Sequence, residues 1–262
     1  MTSAVRYHRD AGTAIGILTL DRPDNRNSMT PELLDAFLAA SAAARADTGA
    51  RCLIVTGTGT SFSAGADFKS TLQRASPDAA PHERSYAMYA PFLSLLDIPV
   101  PIVGALNGHA VGGGFGLALV CDLRIGAEDA KYGANFVRLG LAPGMAISYL
   151  LPRLIGPARA SELLLTGELV DGRRAADLGV LNRAVPAPSV LPTATELATT
   201  IASNAPLAIR ATKAAIRRGL ELHIREAAAA EAYAQAETLT TDDAREGIAA
   251  LLARRPPTFT GR

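Results

Sequence analysis

Glycine is the residue type in this chain whose spacing first suggests chemistry. The run Gly112-Gly113-Gly114, with Gly116 close behind, stands between a strand-like and a helix-like segment. Backbone without side chains can approach a ligand there, and amides at a helix start point outward with the positive end of the helix dipole, which suits an anion or a developing oxyanion. Taken alone, tight strand-to-helix packing explains the run first. A second turn, Ser63-Ala64-Gly65-Ala66-Asp67, also follows a strand by a short irregular stretch. Two such turns can aim two backbone N–H donors at one atom. Other chemistries find less support. The glycines fail the G-x-G-x-x-G spacing of a dinucleotide fold in every frame, because Leu117 or Leu119 falls where the last glycine should stand, and there is no G-x-x-x-x-G-K-[ST] phosphate loop. No G-x-S-x-G nucleophile elbow occurs, so Ser61 or Ser63 with His109 has no hydrolase pattern behind it. His8, His82, His109 and His223 are scattered without i,i+4 pairing and read as surface or packing residues, and no metal site is expected.

The turns need strands and helices to hold them. Thr13 to Leu20 reads as a strand stopped by Asp21-Arg22-Pro23-Asp24. Thr30-Pro31-Glu32 combines an N-cap, a proline at the first helical position and an acid in the first turn, which predicts a helix through about Ala46. Arg51 to Thr56, Pro101 to Leu106 and Asp122 to Ala127 are apolar enough for further strands, and Phe115 to Val120 opens a buried helix. Ser70 to Pro81 turns to Ser, Asp, Pro and Ala, a loop feeding a helix in which Tyr86, Tyr89, Leu93 and Leu96 recur at helical spacing. Beyond Pro186 the pattern is alanine-rich and helical to about Leu252, with no convincing strand. The expected class is α/β, with a helical C-terminal third.

Composition bounds the rest. The chain has 262 residues, 48% hydrophobic and 19% charged, enough to bury a large core. Its 26 Lys and Arg against 25 Asp and Glu leave a net charge of +1 and no field for a phosphate backbone, so nucleic acid is not an expected partner. Cys52 and Cys121 sit among aliphatic residues outside any C-x-x-C spacing and read as buried thiols in a reducing compartment. Apolar runs such as Val100 to Leu106 and Val111 to Val120 fall short of the ~20 residues of a membrane span. Met1 to Asp10 leads into no apolar core of secretory length. A cytoplasmic protein with no membrane partner is the expectation.

Several strings in fixed order carry a family resemblance. They are Asp21-Arg22-Pro23 with Asn27, Phe62 to Asp67, Pro101 to Gly108 running into Gly112-Gly113-Gly114, Cys121-Asp122, Tyr132-Gly133, Leu139-Gly140-Leu141, Leu164 to Gly167, and Ala175 to Gly179. Together they resemble the enoyl-CoA hydratase/isomerase (crotonase) superfamily over nearly the whole chain. The resemblance implies a ββα spiral core over residues 1–188 and a helical region over 189–262 that assembles homotrimers, often paired into hexamers. It implies an acyl-CoA thioester as ligand and no separate cofactor, coenzyme A entering with the substrate. By position, Ala66 and Gly113 match the two residues whose backbone N–H groups form the family's oxyanion hole, where losing one donor typically costs ~10²–10³ in rate. Asn25, Arg26 and Ala64 match the neighbourhood that contacts the CoA nucleotide, with Asp67 and Gly112 flanking the hole. The Phe259 segment matches one that reaches a neighbouring subunit's ligand.

The chain also departs from the family. Its hydratases move protons with two glutamates, whose positions fall here on Gly116 and Phe136; a third position, acidic in some relatives, falls on Gly144. None of the three can carry a proton. With ~10²–10⁴ in rate for each general acid or base, losing both removes on the order of 5–11 kcal/mol of barrier lowering. Ordinary hydration is therefore not expected, and isomerase or lyase chemistry on a restricted thioester is. The alternative is a non-catalytic acyl-CoA binder. His82, Glu83, Tyr86, Tyr89 and Asp67 remain as other proton carriers, none singled out by spacing, and the two tyrosines share a core-like stripe with Leu93 and Leu96.

Overall fold

The structure, a computed structural model, describes residues 3–10, 12–67 and 79–262. Among them, two sheets run side by side through the chain. The larger has the order β1-β2-β3-β5-β7-β10, formed by Val5–Asp10, Ile15–Leu20, Cys52–Gly57, Ile102–Leu106, Leu123–Ala127 and Arg183–Val185. The smaller has the order β4-β6-β8-β9, formed by Ser61–Ser63, His109–Val111, Lys131–Gly133 and Val170–Asp171. Each turn of the chain lays one strand in the larger sheet and the next in the smaller: β3 then β4, β5 then β6, β7 then β8. Neighbours from successive turns pair in parallel in both sheets. This is the ββα spiral the resemblance implies.

Burial explains which segments became central strands. In β3 and β5 nearly every residue is buried, the continuous apolar pattern of a parallel strand covered on both faces. The first helix, α1 (Pro31–Ala46), begins where its signals predict, with the Thr30 hydroxyl accepting from Leu33 N at 3.2 Å. It buries Leu33, Leu34, Phe37, Ala40 and Ala44, and the Phe37 ring meets Phe92 edge-on at 4.7 Å. Two short helices, α2 (Pro81–Ala87) and α3 (Ala90–Leu93), follow, and then α4 (Gly113–Val120), whose eight residues are all buried. Next come α5 (Ile147–Ile155), α6 (Pro157–Thr166) and α7 (Gly172–Leu178). The expected loop from Ser70 lies outside the described residues as far as 78.

The last third is helical as expected: α8 (Val190–Ala202), α9 (Pro206–Arg217), α10 (Leu220–Leu239) and α11 (Asp242–Ala253). Helix α8 packs on β3, β5 and β7, α10 on α2 and α5, and α11 on the single turn Phe136–Leu139. The buried side chains of α9 are Lys213 and Arg217, which converge on Asp122. Asp122 Oδ2 accepts from Ile102 N at 2.8 Å and lies 3.0 Å from Lys213 Nζ, while Oδ1 accepts from Arg217 Nε at 2.7 Å. Burial lowers the Lys213 ammonium from its ordinary value, and the Asp122 carboxylate opposes that shift.

Six of the described strands escaped the sequence reading: β1, β4, β6, β8, β9 and β10. β1 carries Arg6, His8, Arg9 and Asp10 because it is an edge strand, pairing antiparallel with β2 from Val5↔Leu20 to Asp10↔Ile15 and facing solvent elsewhere. Strands β4, β6, β8, β9 and β10 have two or three residues each, too few for any period, and exist through pairing with neighbours across the spiral.

Candidate functional site

Because β4 and β6 are parallel neighbours, the segments leaving them travel together. A Cβ added to Gly65 would lie 2.6 Å from Val111 O and 3.2 Å from Gly113 N, and one added to Gly114 would lie 2.2 Å from Ser63 O. The two turns therefore touch through backbone, which glycine alone permits. Gly112 adopts φ 56°, ψ −122° and donates its N–H to Gly133 O at 2.9 Å, tying the second turn to β8. The first turn is held by Met29 N donating to Gly65 O at 2.8 Å, with Met29 bridging Ala66, and by Ala64 N donating to Arg26 O at 3.0 Å. Gly113 is the first residue of α4, where N–H groups have no partner inside the helix. Among the described residues, neither the Ala66 N–H nor the Gly113 N–H donates to a backbone carbonyl.

Asn27 fastens this architecture. It is fully buried; its Nδ2 donates to Thr58 O at 3.0 Å and Ser61 O at 2.8 Å, its Oδ1 accepts from Arg22 N at 2.8 Å, and its carbonyl accepts from the Ser63 hydroxyl at 2.8 Å. Arg26, beside it, is exposed with φ 58°, its guanidinium in no ion pair among the described residues.

The three positions without carboxylates are filled in different ways. A Cβ on Gly116 would meet Met145 Cβ at 2.3 Å. One on Gly144 would meet the Tyr89 hydroxyl oxygen at 2.5 Å. Phe136 is buried, and its Cζ lies 3.8 Å from where a Gly112 Cβ would stand, with Asn135 Oδ1 at 3.9 Å. An apolar ring and a carboxamide thus flank Gly112, next to the Gly113 amide.

The other proton-carrying candidates have structural partners. Tyr89 is buried under Gly144 and donates its hydroxyl to Gln235 Oε1, whose Nε2 donates to Ala142 O at 3.1 Å; burial raises the phenol well above its ordinary value. His82 stacks on Tyr233 at 3.9 Å, Glu83 accepts from Ala80 N at 2.9 Å at the start of α2, and Tyr86 packs half-buried against the core. Exposed His109 accepts from Lys131 N through Nδ1 at 2.9 Å. Asp67 follows Ala66, half-buried. Ser61 is buried in β4 and the Ser63 hydroxyl is spent on Asn27, so no hydrolase group assembles with His109. No group of three or more His, Cys, Asp or Glu among the described residues is placed to hold a metal.

One acid that the spacing did not flag is Glu231 on α10. Its Oε1 accepts from Ser148 N at 2.8 Å and from the Ser148 hydroxyl, while Oε2 is buried without a hydrogen-bond partner among the described residues. Burial pushes this carboxyl above its ordinary value. It anchors the start of α5 just after Met145 (φ 66°) and Ala146 (φ 56°), two left-handed residues in succession. Its partner lies 83 residues away in sequence, so no local signal announces it.

The fold and site define a class: an α/β spiral with two glycine turns meeting through backbone at a helix start. Comparison with known proteins agrees. The family model described as enoyl-CoA hydratase/isomerase matches residues 10–262, and the chain belongs to that family. It is 38% identical over 251 residues to a putative enoyl-CoA hydratase of Thermus thermophilus, covering 94% of this chain and 97% of that one. It is 35% identical over 253 residues to a probable enoyl-CoA hydratase of Mycobacterium leprae, covering 97% of each. The crystal structure of an enoyl-CoA hydratase/isomerase from Pseudoalteromonas atlantica superimposes with a TM-score of 0.86 at 27% identity, covering 98% of this chain and all of that one.

Proposed function

We propose that this protein binds an acyl-CoA thioester and polarises its carbonyl between the Ala66 and Gly113 N–H groups, stabilising the enolate that forms when the α-carbon passes its proton to a basic atom of the substrate or of the site. The observation that carries this reading is the backbone contact between the two glycine turns, which puts Gly113 N beside Gly65 and leaves both donors unspent among the described residues. Preorganised amides at the start of a buried helix hold a developing oxyanion without reorganising solvent. The exposed Arg26 guanidinium, joined through its backbone to Ala64, suits the phosphates of coenzyme A.

The reaction we propose is not ordinary enoyl-CoA hydration. Gly116 and Phe136 cannot transfer protons, and Met145 leaves no room for a side chain at 116. Isomerisation or lyase chemistry on a restricted thioester is the form proposed. No helix among the described residues is long and apolar enough to cross a membrane, and a cytoplasmic location is part of the proposal. So is assembly into trimers or paired trimers, supported by α9, which exposes Leu207 (79%) and Ile216 (75%).

The test is a series of acyl-CoA thioesters, saturated, enoyl, dienoyl and aromatic, read first as a ligand-dependent rise in Tm and then as turnover. Binding with turnover supports an enzyme. Binding without turnover across the panel points to a carrier, and no binding at any chain length overturns the acyl-CoA reading.

A further inference from the structure

Helix α4 begins at Gly113 and ends against buried cations. Its last carbonyl, Val120 O, accepts from Arg217 Nη2 at 2.6 Å, and the carbonyl of Cys121, the next residue, accepts from Arg124 Nη1 at 2.6 Å. Lys213 stands with them, donating to Val100 O at 2.7 Å and paired with Asp122. All three cations are buried. Among the described residues Asp122 is the one carboxylate paired with Lys213 or Arg217, Arg124 has no ion pair, and Arg217 Nη1 is buried without a hydrogen-bond partner. The end of α4 thus holds more positive charge than its carboxylate cancels. The orphan carbonyls of a buried helix end need donors, but neutral donors would serve there without the cost of burying charge.

We propose that Arg217 and Arg124 are positioning residues for the oxyanion site at the opposite end of α4: they cancel the negative pole of the helix, so that the Gly113 N–H presents a more positive potential to a thioester oxygen. The inference rests on the acyl-CoA reading above and names what strengthens its oxyanion hole. Aligned peptide dipoles give a helix roughly half a charge of each sign at its ends, and the negative end works against the positive one. Eight residues at ~1.5 Å each put those ends only ~12 Å apart. All eight residues are buried, so salt and water screen little between the ends. At an effective dielectric constant of ~20, one unit charge at the far end changes the energy of an anion at Gly113 enough for a ~three- to tenfold change in rate.

The experiment reads the carbonyl stretch of bound butyryl-CoA and cinnamoyl-CoA, each isotopically labelled at the thioester carbonyl, by difference infrared spectroscopy on the full chain. Polarisation of the carbonyl lowers its frequency. Arg217→Gln removes a positive charge and Asp122→Asn removes the negative one. Both disturb the same cluster and both should lower Tm, yet they should move the stretch in opposite directions: Arg217→Gln up toward its value in water, Asp122→Asn further down. Arg217→Lys keeps the charge and should hold the frequency near that of the unmodified protein, so the two Arg217 variants decide if Asp122→Asn fails to fold. Lys213→Met, which removes a charge without touching α4, should act as Arg217→Gln does and replaces it if that variant fails to fold. Opposite shifts uphold the inference. Shifts of one sign, or none, while the unmodified protein still lowers the stretch relative to water, overturn it and leave the oxyanion reading standing. An unlowered stretch in the unmodified protein overturns the hole at Ala66 and Gly113, and failure of both thioesters to bind overturns the acyl-CoA reading; this inference falls with either.

Discussion

Gly116 and Met145 are packed so closely that a single added carbon on Gly116 would lie 2.3 Å from the Met145 Cβ and 2.8 Å from its Cγ. Position 116 is thus closed to any side chain larger than hydrogen. Met145, a left-handed residue from the turn before α5, fills the volume such a side chain would need.

Gly116→Glu alone should therefore lower stability by ~1–3 kcal/mol through overpacking and confer no hydration of crotonyl-CoA. Combining it with Met145→Gly removes the obstructing side chain and relieves a positive φ, so the double variant should recover most of the lost Tm. Adding Phe136→Glu to that pair supplies the second carboxylate, and a gain of hydratase activity is expected in the triple variant only. Equal Tm values for the single and double variants would remove the steric argument.

The oxyanion role proposed for Gly113 needs a variant that deletes the N–H without a clash. A Cβ at 113 would lie 2.4 Å from the Met29 sulfur, so Met29→Ala must accompany any substitution there. Proline is well tolerated at the first position of a helix, which is where Gly113 stands. Met29→Ala/Gly113→Ala should keep acyl-CoA turnover, while Met29→Ala/Gly113→Pro should lose ~10²–10³ in kcat/KM. Matching rates in the two would show that this amide does not touch the reacting oxygen.

Asp122 holds Lys213 and Arg217 at 3.0 and 2.7 Å in a largely buried cluster. Asp122→Ala leaves two cations without their counter-charge, and the expected cost is ~3–5 kcal/mol, read from the urea midpoint. A loss below ~1 kcal/mol, the range of exposed pairs, would mean that water reaches and satisfies the cluster.

Glu231 makes stability depend on pH. Burial raises its carboxyl above the ordinary 4.5 in the folded state, so the folded protein holds this proton more tightly than the unfolded chain. Its contribution is complete below 4.5 and drains away as pH rises through the folded value. Glu231→Gln keeps an acceptor for Ser148 and does not titrate. The variant should accordingly gain on the unmodified protein as unfolding is measured from about pH 4 to about pH 8. A difference that stays constant across that window would place the Glu231 carboxyl at its ordinary value.

How much of this was legible depended on whether the cause was local. Thr30-Pro31-Glu32 announces α1 because capping involves residues three apart, and β3 and β5 announce themselves by continuous burial. The glycine turns were legible because close backbone approach at Gly65 and Gly114 and a positive φ at Gly112 both favour glycine. Cys52 and Cys121 were legible as buried thiols, and burial pushes both up to about 12. Tyr89, grouped by spacing with core residues, is indeed buried. What stayed hidden was nonlocal: the β4–β6 pairing, the grip of Glu231 on Ser148 and the occupation of the Gly116 site by Met145. The approach of Phe136 and Asn135 to Gly112 was hidden too.

Ala66 and Gly113 sit on adjacent coils of the spiral, and the lateral register of β4 on β6 fixes their spacing. Insertions or deletions in the chain that links those two strands can reshape what surrounds the two turns without moving either amide. A scaffold wired this way allows loop length to vary while the meeting of the two turns is inherited intact.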